Sequence, residues 1–317
     1  AAMIFGSGMA AISSTMLTFL KSGDHAVIQN DIYGGTRSFI ESHFKSYGID
    51  YSFTKDLSSE AFEDCIQENT KLIYIETPSN PLLKLVDLFA IAKLAKSHSI
   101  VTAADNTFAS PIVQNPLDLG VDIVMHSATK YFGGHSDISA GAVASSQEIM
   151  DKIWNLSKDF GGNLSDYTVW LLERSMKTLG IRVKAQQRNA KRLAKFLNRH
   201  TAIKTVYYPG LKTNEYHGLA KIQMKGFGAM MSFELTEEYN AEAFLKALEL
   251  IKPSMSLAGV ESTMLLPSKT SHALLSDSDR FSQGITDQLI RFSVGIENKS
   301  DLINDIEQAI SASHSKR

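Results

Sequence analysis

The stretch Val121-Asp122-Ile123-Val124-Met125-His126-Ser127-Ala128-Thr129-Lys130-Tyr131-Phe132-Gly133-Gly134-His135-Ser136-Asp137 sets the reading of the whole chain. It opens as an apolar, β-prone run and breaks off into a polar cluster holding one lysine, followed by two glycines. A short apolar run bounded by turn residues fits a buried strand. A lysine at the mouth of such a strand has no apolar reason to stand there. Desolvation can make its amine nucleophilic enough to form a Schiff base. Ser127 and Thr129 add two hydroxyls beside it, as a phosphate site needs. Hydroxyls, lysine and glycines together point to pyridoxal phosphate; the competing reading is a strand end with a solvated lysine.

The residues upstream repeat the pattern. Leu72-Ile73-Tyr74-Ile75-Glu76 reads as a strand that stops at Thr77-Pro78-Ser79-Asn80-Pro81, where prolines end regular structure. Asp87 is placed to cap a helix running to about Ser97, with Ile91, Ala92, Leu94 and Ala95 on its buried side. Ile100-Val101-Thr102-Ala103-Ala104 is the next strand and ends in Asp105-Asn106-Thr107. Strand, helix, strand, turn, strand is the alternation of an α/β fold with a parallel sheet and helices on its faces. Ligands of such sheets bind at the carboxyl ends of strands, and Asn80, Asp105 and Lys130 all lie just past strand ends.

Nearer the start, Met9, Ile12, Met16, Phe19 and Leu20 have helical spacing, with Lys21 and Gly23 as stop signals. Gly6-Ser7-Gly8 precedes this helix. It is either an anion site of N–H groups at a helix N-terminus or an ordinary cap. His25-Ala26-Val27-Ile28-Gln29 is a short strand leading into a loop with Tyr33 at its tip. Tyr33 is either a stacking platform for a planar cofactor or a plain loop tyrosine.

Residues 151–200 turn helical. Trp170, Leu171, Leu172 and Met176 belong to one helix, and Ala190, Leu193, Ala194 and Leu197 form the stripe of another. Lys191, Arg192, Lys195 and Arg199 read as that helix's solvated face. The domain boundary is expected at about 183–187, giving a large domain at 1–185 and a smaller α+β domain at 186–317. The latter has strands near 205–208, 226–235 and 289–296, a helix carrying Ala241, Phe244, Leu245 and Leu248, a small-residue loop at 255–262 and a final helix at about 301–310. Arg291 lies inside an apolar run and must be paired, within the protein or with a substrate carboxylate.

Bulk properties bound the class. The 317 residues are 44% hydrophobic and 21% charged, with a net charge of −2, as in soluble globular proteins. Nothing argues for nucleic acid or a membrane surface as partner, no run reaches the roughly 18 apolar residues of a membrane span, and no metal cluster is expected. The single cysteine, Cys65, fits a reducing, cytoplasmic setting. The opening Ala1-Ala2-Met3 has no initiator methionine and reads as the middle of something, with a segment expected before it.

Taken together the motifs resemble those of the Cys/Met-metabolism family of pyridoxal-phosphate enzymes: cystathionine γ-synthase, cystathionine lyases, methionine γ-lyase and homoserine sulfhydrylases. They are Ser7-Gly8-Met9-Ala10-Ala11-Ile12, Tyr33-Gly34-Gly35-Thr36, Glu76-Thr77-Pro78-Ser79-Asn80-Pro81, Asp105-Asn106-Thr107, residues 127–137, residues 256–262 and Arg291-Phe292-Ser293-Val294-Gly295-Ile296-Glu297. The resemblance implies a fold-type-I enzyme with a mostly parallel, seven-stranded-type sheet, acting at the β- or γ-carbon of a sulfur amino acid or an acylated homoserine. It implies that Lys130 carries the cofactor and moves protons, that Asp105 pairs with the ring nitrogen, and that Tyr33 stacks on the ring and assists acid–base chemistry. Gly8, Met9, Ser127 and Thr129 would hold the phosphate, and Asn80, Ser256 and Arg291 the substrate carboxylate. A small-molecule amino acid and a homo-oligomer, a dimer of active sites and usually a tetramer, are the implied partners. The family places a further phosphate-binding Tyr and Arg before this chain's Ala1. Met255 stands where cystathionine γ-synthases and γ-lyases have glutamate, and Gly35 where methionine γ-lyases have cysteine, so neither subfamily signature is clean. A sulfhydrylase, a methionine γ-lyase and a non-catalytic scaffold remain the rivals.

Overall fold

The computed structural model describes residues 1–271, 273 and 276–314. The chain divides into two compact units, one of residues 1–80, 85–133 and 137–176, the other of 81–84, 134–136 and Lys177 onward.

In chain order the first unit contains β1 (Ala2–Phe5), α1 (Gly8–Phe19), β2 (His25–Ile28), α2 (Gly34–Phe39), β3 (Asp50–Phe53), α3 (Ser59–Glu63), β4 (Thr70–Glu76), α4 (Leu88–Ser97), β5 (Val101–Asp105), β6 (Ile123–His126), β7 (Gly141–Ser145), α5 (Gln147–Phe160) and α6 (Asp166–Met176). The strands form one sheet in the order β1-β7-β6-β5-β4-β2-β3. From β6 through β3 neighbours are parallel; β7 and β1 are added antiparallel at one edge.

The period of two along each strand explains the layers. Ala26, Ile28, Leu72, Tyr74, Ala103 and Met125 enter one core with Ala11, Ile12 and Met16 of α1 and Met150 and Ile153 of α5. The alternate residues Val27, Ile73, Ile75 and Ala104 enter the other with Ile91 and Ala95 of α4. A strand buried on both faces needs apolar residues at every position, which is why β4 and β5 read as continuous runs. Each fully buried aliphatic side chain contributes about 1.5–3 kcal/mol.

Helix starts follow their caps. Ser7 Oγ accepts from Ala10 N–H at 3.0 Å to open α1, and Asp87 Oδ1 accepts from Ala90 N–H at 3.0 Å to open α4, as expected. The expected Tyr33 loop differs: Tyr33 is the residue at which the short helix α2 begins, with Arg37 N–H bonded to its carbonyl at 3.0 Å.

The second unit contains α7 (Leu179–Leu197), β8 (Ile203–Tyr207), α8 (His217–Gln223), β9 (Met230–Leu235), α9 (Ala241–Ala247), β10 (Lys252–Pro253), β11 (Thr263–Leu265), α10 (Asp277–Ser282), β12 (Leu289–Ser293) and α11 (Lys299–Ala312). Its five-stranded sheet runs β10-β11-β12-β9-β8 and is antiparallel except at β10–β11. The expected stripe of Ala190, Leu193, Ala194 and Leu197 is fully buried. Leu248 does not continue the α9 face, because it is already in extended backbone. That chain end is tied by the buried Asp305 carboxylate, which accepts the N–H groups of Glu249, Leu250 and Ile251 at 2.8, 3.1 and 2.8 Å. Among the described residues no helix is long and apolar enough to cross a membrane.

Candidate active site

Four adjacent parallel strands, β6, β5, β4 and β2, deliver their carboxyl ends to one edge of the sheet of the first unit. Just beyond β6 comes Ser127-Ala128-Thr129-Lys130, at the end of β5 stands Asp105, beyond β4 the residues 77–80, and beyond β2 the residues leading to Tyr33. The edge is continuous past the strands: Asn106 N–H donates to Met125 O at 2.9 Å, Thr77 N–H to Asp105 O at 3.3 Å and Gln29 N–H to Tyr74 O at 3.0 Å. The β6 turn closes on itself, with Lys130 N–H donating to Ser127 O at 3.0 Å and Gly133 N–H to Ala128 O at 2.8 Å. This leaves Lys130 half-buried at the strand mouth.

The N-terminus of α1 reaches the same turn. A β-carbon built on Gly8 would stand 2.9 Å from both Cβ and Oγ of Ser127, so the two backbones meet at a distance only glycine permits. Ser7 takes up the Ala10 and Ala11 N–H groups, leaving those of Gly8 and Met9 with no intrahelical partner. Thr129 is more committed than its sequence position suggests: its hydroxyl donates to Ala140 O at 3.2 Å and accepts from Ala140 N–H at 2.9 Å.

Asp105 is 6% exposed. Burial pushes its carboxyl above the ordinary value, and the hydroxyl and N–H of Thr107 oppose part of that rise. Thr107 N–H lies 2.9 Å from Asp105 Oδ1, and Thr107 Oγ1 accepts Ser127 N–H at 2.8 Å. One threonine therefore ties the Asp105 strand end to the Ser127 turn. Beneath the turn His126 is buried, stacks on Phe132 at 4.7 Å, and is pushed down by desolvation to about 3, so its ring is neutral at physiological pH.

Tyr33, 46% exposed, is fixed by its backbone: its N–H donates to Glu76 Oε2 at 2.6 Å. Asn80 is buried in the loop after β4 and its N–H also faces the Glu76 carboxylate. The first unit thus gathers Gly8, Met9, Tyr33, Asn80, Asp105, Ser127, Thr129 and Lys130 along one sheet edge. Ser256 and Arg291 belong to the second unit. Arg291 is 4% exposed on β12, pairs in register with Ser232 and Leu265, and donates from Nη2 to Met255 O at 2.8 Å. Ser256 N–H donates to Ser254 Oγ at 3.3 Å, and Met255 is 64% exposed.

Sequence reasoning passed over Thr107 and Glu76, although both stand inside quoted motifs. It also missed the Asn106–Gln114 pair, in which Gln114 Nε2 donates to Asn106 Oδ1 at 2.9 Å and to Thr77 O at 3.0 Å, tying the β5 and β4 loops together. A polar residue inside a strand-end motif is the only signal that could have marked them.

These residues fit pyridoxal phosphate. The Gly8–Ser127 cradle offers N–H and hydroxyl donors at a helix N-terminus to a phosphate, and a buried carboxylate at Asp105 suits a protonated ring nitrogen. Comparison with known proteins agrees with that chemistry and makes the chain a pyridoxal-phosphate enzyme of fold type I. Residues 1–311 match the family of Cys/Met metabolism PLP-dependent enzymes, and the chain belongs to that family. It is 46% identical over 307 residues to a cystathionine γ-lyase of Bacillus subtilis, covering 96% of this chain and 81% of that protein. It is 43% identical over 307 residues to a cystathionine β-lyase of Lactococcus lactis subsp. cremoris, covering 96% and 80%. The crystal structure of cystathionine γ-lyase from Lactobacillus plantarum complexed with L-serine superposes with a TM-score of 0.96 at 42% identity, covering 99% of this chain and 82% of that one.

Proposed function

We propose that the protein is a C–S lyase of the transsulfuration type, cleaving at the β- or γ-carbon of cystathionine or a related sulfur amino acid. The observation that carries the reading is the meeting of the Lys130 turn, the Asp105 strand end and the Gly8 helix start on one sheet edge. Bound there, pyridoxal phosphate supplies an electron sink for charge developing at the substrate α-carbon.

The roles of the chain's own residues follow. The Lys130 amine would hold the cofactor and would serve as the base that takes the substrate α-proton and returns it elsewhere on the carbon chain. The Asp105 carboxylate would keep the proton on the ring nitrogen. The Tyr33 ring would stack on the cofactor and its phenol would assist proton transfer. Gly8 and Met9 N–H groups with the Ser127 and Thr129 hydroxyls hold the phosphate; Thr129 must turn its hydroxyl hydrogen away from Ala140 O to do so. Asn80, Arg291 and Ser256 are assigned to the substrate carboxylate on the resemblance, with Arg291 as the guanidinium fork. The cofactor domain is taken as residues 1–185 and the smaller domain as 186–317, a division that falls within α7, whereas the two compact units part before Lys177.

We further propose a homo-oligomer in the cytoplasm. The exposed Trp154 and Phe160 of α5 and the exposed, stacked Tyr167 and Trp170 of α6 support association, since large exposed apolar surface commonly marks an interface. The single, half-buried Cys65 supports a reducing compartment.

The test is a panel of cystathionine, methionine, homocysteine, cysteine and acyl-homoserines, each with and without thiol, followed by keto-acid detection. A lyase releases keto acid from a sulfur amino acid without thiol. Turnover of acyl-homoserine alone, and only with a thiol or sulfide, would replace this reading with a sulfhydrylase.

A further inference from the structure

Glu76 ends β4, is 5% exposed, and has no role in the reading above. Its carboxylate accepts Tyr33 N–H at 2.6 Å from a residue 43 positions away and also faces the N–H of Asn80. Its own backbone is clamped by Gln29, which accepts Glu76 N–H at 2.9 Å through Oε1 and donates to Glu76 O at 2.8 Å through Nε2. The same Gln29 amide donates to Asp31 Oδ1 at 3.1 Å, and Ser79 Oγ donates to Asp31 Oδ2 at 3.0 Å. The loops that carry Tyr33 and Asn80 are therefore stapled to one another, with the Glu76 carboxylate touching the backbone of each.

In the β4–β5 register Glu76 is the partner of Asp105. The titratable groups that face Glu76 are Asp105 on β5, Asp31 after β2 and Tyr74 on its own strand. All three are acidic or neutral, so two buried carboxylates stand side by side, balanced by the Tyr33 and Asn80 N–H groups at Glu76 and by the N–H and hydroxyl of Thr107 at Asp105. Such a pair does not ionise fully unless a cation joins it. A protonated ring nitrogen at Asp105 is such a cation.

We propose that Glu76 is a positioning residue that reports occupancy of the Asp105 site to the Tyr33 and Asn80 loops. With Asp105 unpaired, Glu76 retains a proton and holds the two N–H groups weakly. When a cationic ring nitrogen pairs with Asp105, Glu76 releases that proton to solvent. Its carboxylate then grips both N–H groups with charge-assisted bonds, which are shorter and stronger than neutral ones. Cofactor loading thereby orders the residues assigned to the ring face and the substrate carboxylate. This inference rests on the proposed pyridoxal-phosphate site and deepens it.

The direction of the Glu76 shift agrees: burial first, then the charge of Asp105, raise its carboxyl well above the ordinary value, while the Tyr33 and Asn80 N–H groups pull it down. Glutamine in its place keeps one acceptor oxygen but carries no charge, so it cannot make charge-assisted bonds to the two N–H groups.

The test is amide hydrogen exchange of residues 31–36 and 77–80, with and without pyridoxal phosphate, in wild type and Glu76→Gln. Wild type is expected to slow about fivefold to tenfold on cofactor addition, the difference between a neutral and a charge-assisted bond. Glu76→Gln is expected to bind the cofactor, seen by visible absorbance, without that slowing and with a raised KM. In cofactor-free Asp105→Asn, where the like charge is gone, the loops are expected to be already slow. Equal slowing in wild type and Glu76→Gln, or unchanged loops in cofactor-free Asp105→Asn, would overturn the proposal. Absence of cofactor binding by wild type would instead overturn the site reading beneath it. Should Glu76→Gln fail to fold, the Asp105→Asn arm decides alone.

Discussion

Gly8 and Ser127 approach so closely that a β-carbon on Gly8 would lie 2.9 Å from the side chain of Ser127. The contact joins the first turn of α1 to the turn after β6, the pair proposed above as a phosphate cradle. Gly8→Ala must displace one of the two, and overpacking of this kind costs about 1–3 kcal/mol. The expected outcome is a pyridoxal-phosphate Kd raised roughly tenfold or more, by absorbance titration. An unchanged Kd would remove Gly8 and Ser127 from the phosphate site.

Thr107 joins Asp105 to Ser127 through its N–H and its hydroxyl. Thr107→Val keeps shape but leaves the Ser127 N–H without its acceptor, at a cost of about 1–3 kcal/mol. Thr107→Ser keeps the hydroxyl. Weakened cofactor binding and lowered Tm are expected in the valine variant and near-native behaviour in the serine variant. Equal behaviour of the two would deny the hydroxyl its role.

Most of the parallel sheet was legible because β4, β5 and β6 are short apolar runs buried on both faces, and each stops at a polar or proline-containing loop. The edge strands β1 and β3 were not, since Ala2–Phe5 and Asp50–Phe53 are partly exposed and carry no clean pattern. Nor was β7, built of small residues in Gly141–Ser145. Lys130 and Asp105 could be read because a charge at a strand mouth stands out against its neighbours. Glu76 could not, because its partners are backbone N–H groups, one of them 43 residues away, and a sequence does not mark which N–H will arrive.

Asp105 gives the cofactor-free protein a distinct pH dependence. Burial raises its carboxyl, so the folded chain holds that proton at pH values where the unfolded chain has lost it. Its contribution to stability is present below about pH 4 and is lost as pH rises through the folded value. Asp105→Asn removes this loss. The difference in Tm between cofactor-free Asp105→Asn and wild type is expected to grow in favour of the variant between acid and neutral pH. A difference that stays constant would mean that Asp105 is not strained by burial.

His126 acts in the opposite sense. Its ring, held down to about 3 from 6.5 by burial, binds a proton in the unfolded chain before it does in the folded one. Stability is full above about 6.5 and is lost as pH falls toward 3, by an amount of the order of a few kcal/mol. His126→Phe should flatten the acid limb of the Tm–pH curve measured by calorimetry. An acid limb as steep as wild type would show that the ring is not desolvated.

The role assigned to Lys130, that of carrying the cofactor, is open to direct chemical test. Pyridoxal phosphate is added to the purified protein, the complex is reduced with borohydride, and the digest is read by mass spectrometry. The reduced cofactor is expected on the peptide containing Lys130, with loss of both label and keto-acid release in Lys130→Ala. Label on a different lysine, or keto-acid release undiminished in Lys130→Ala, would contradict it.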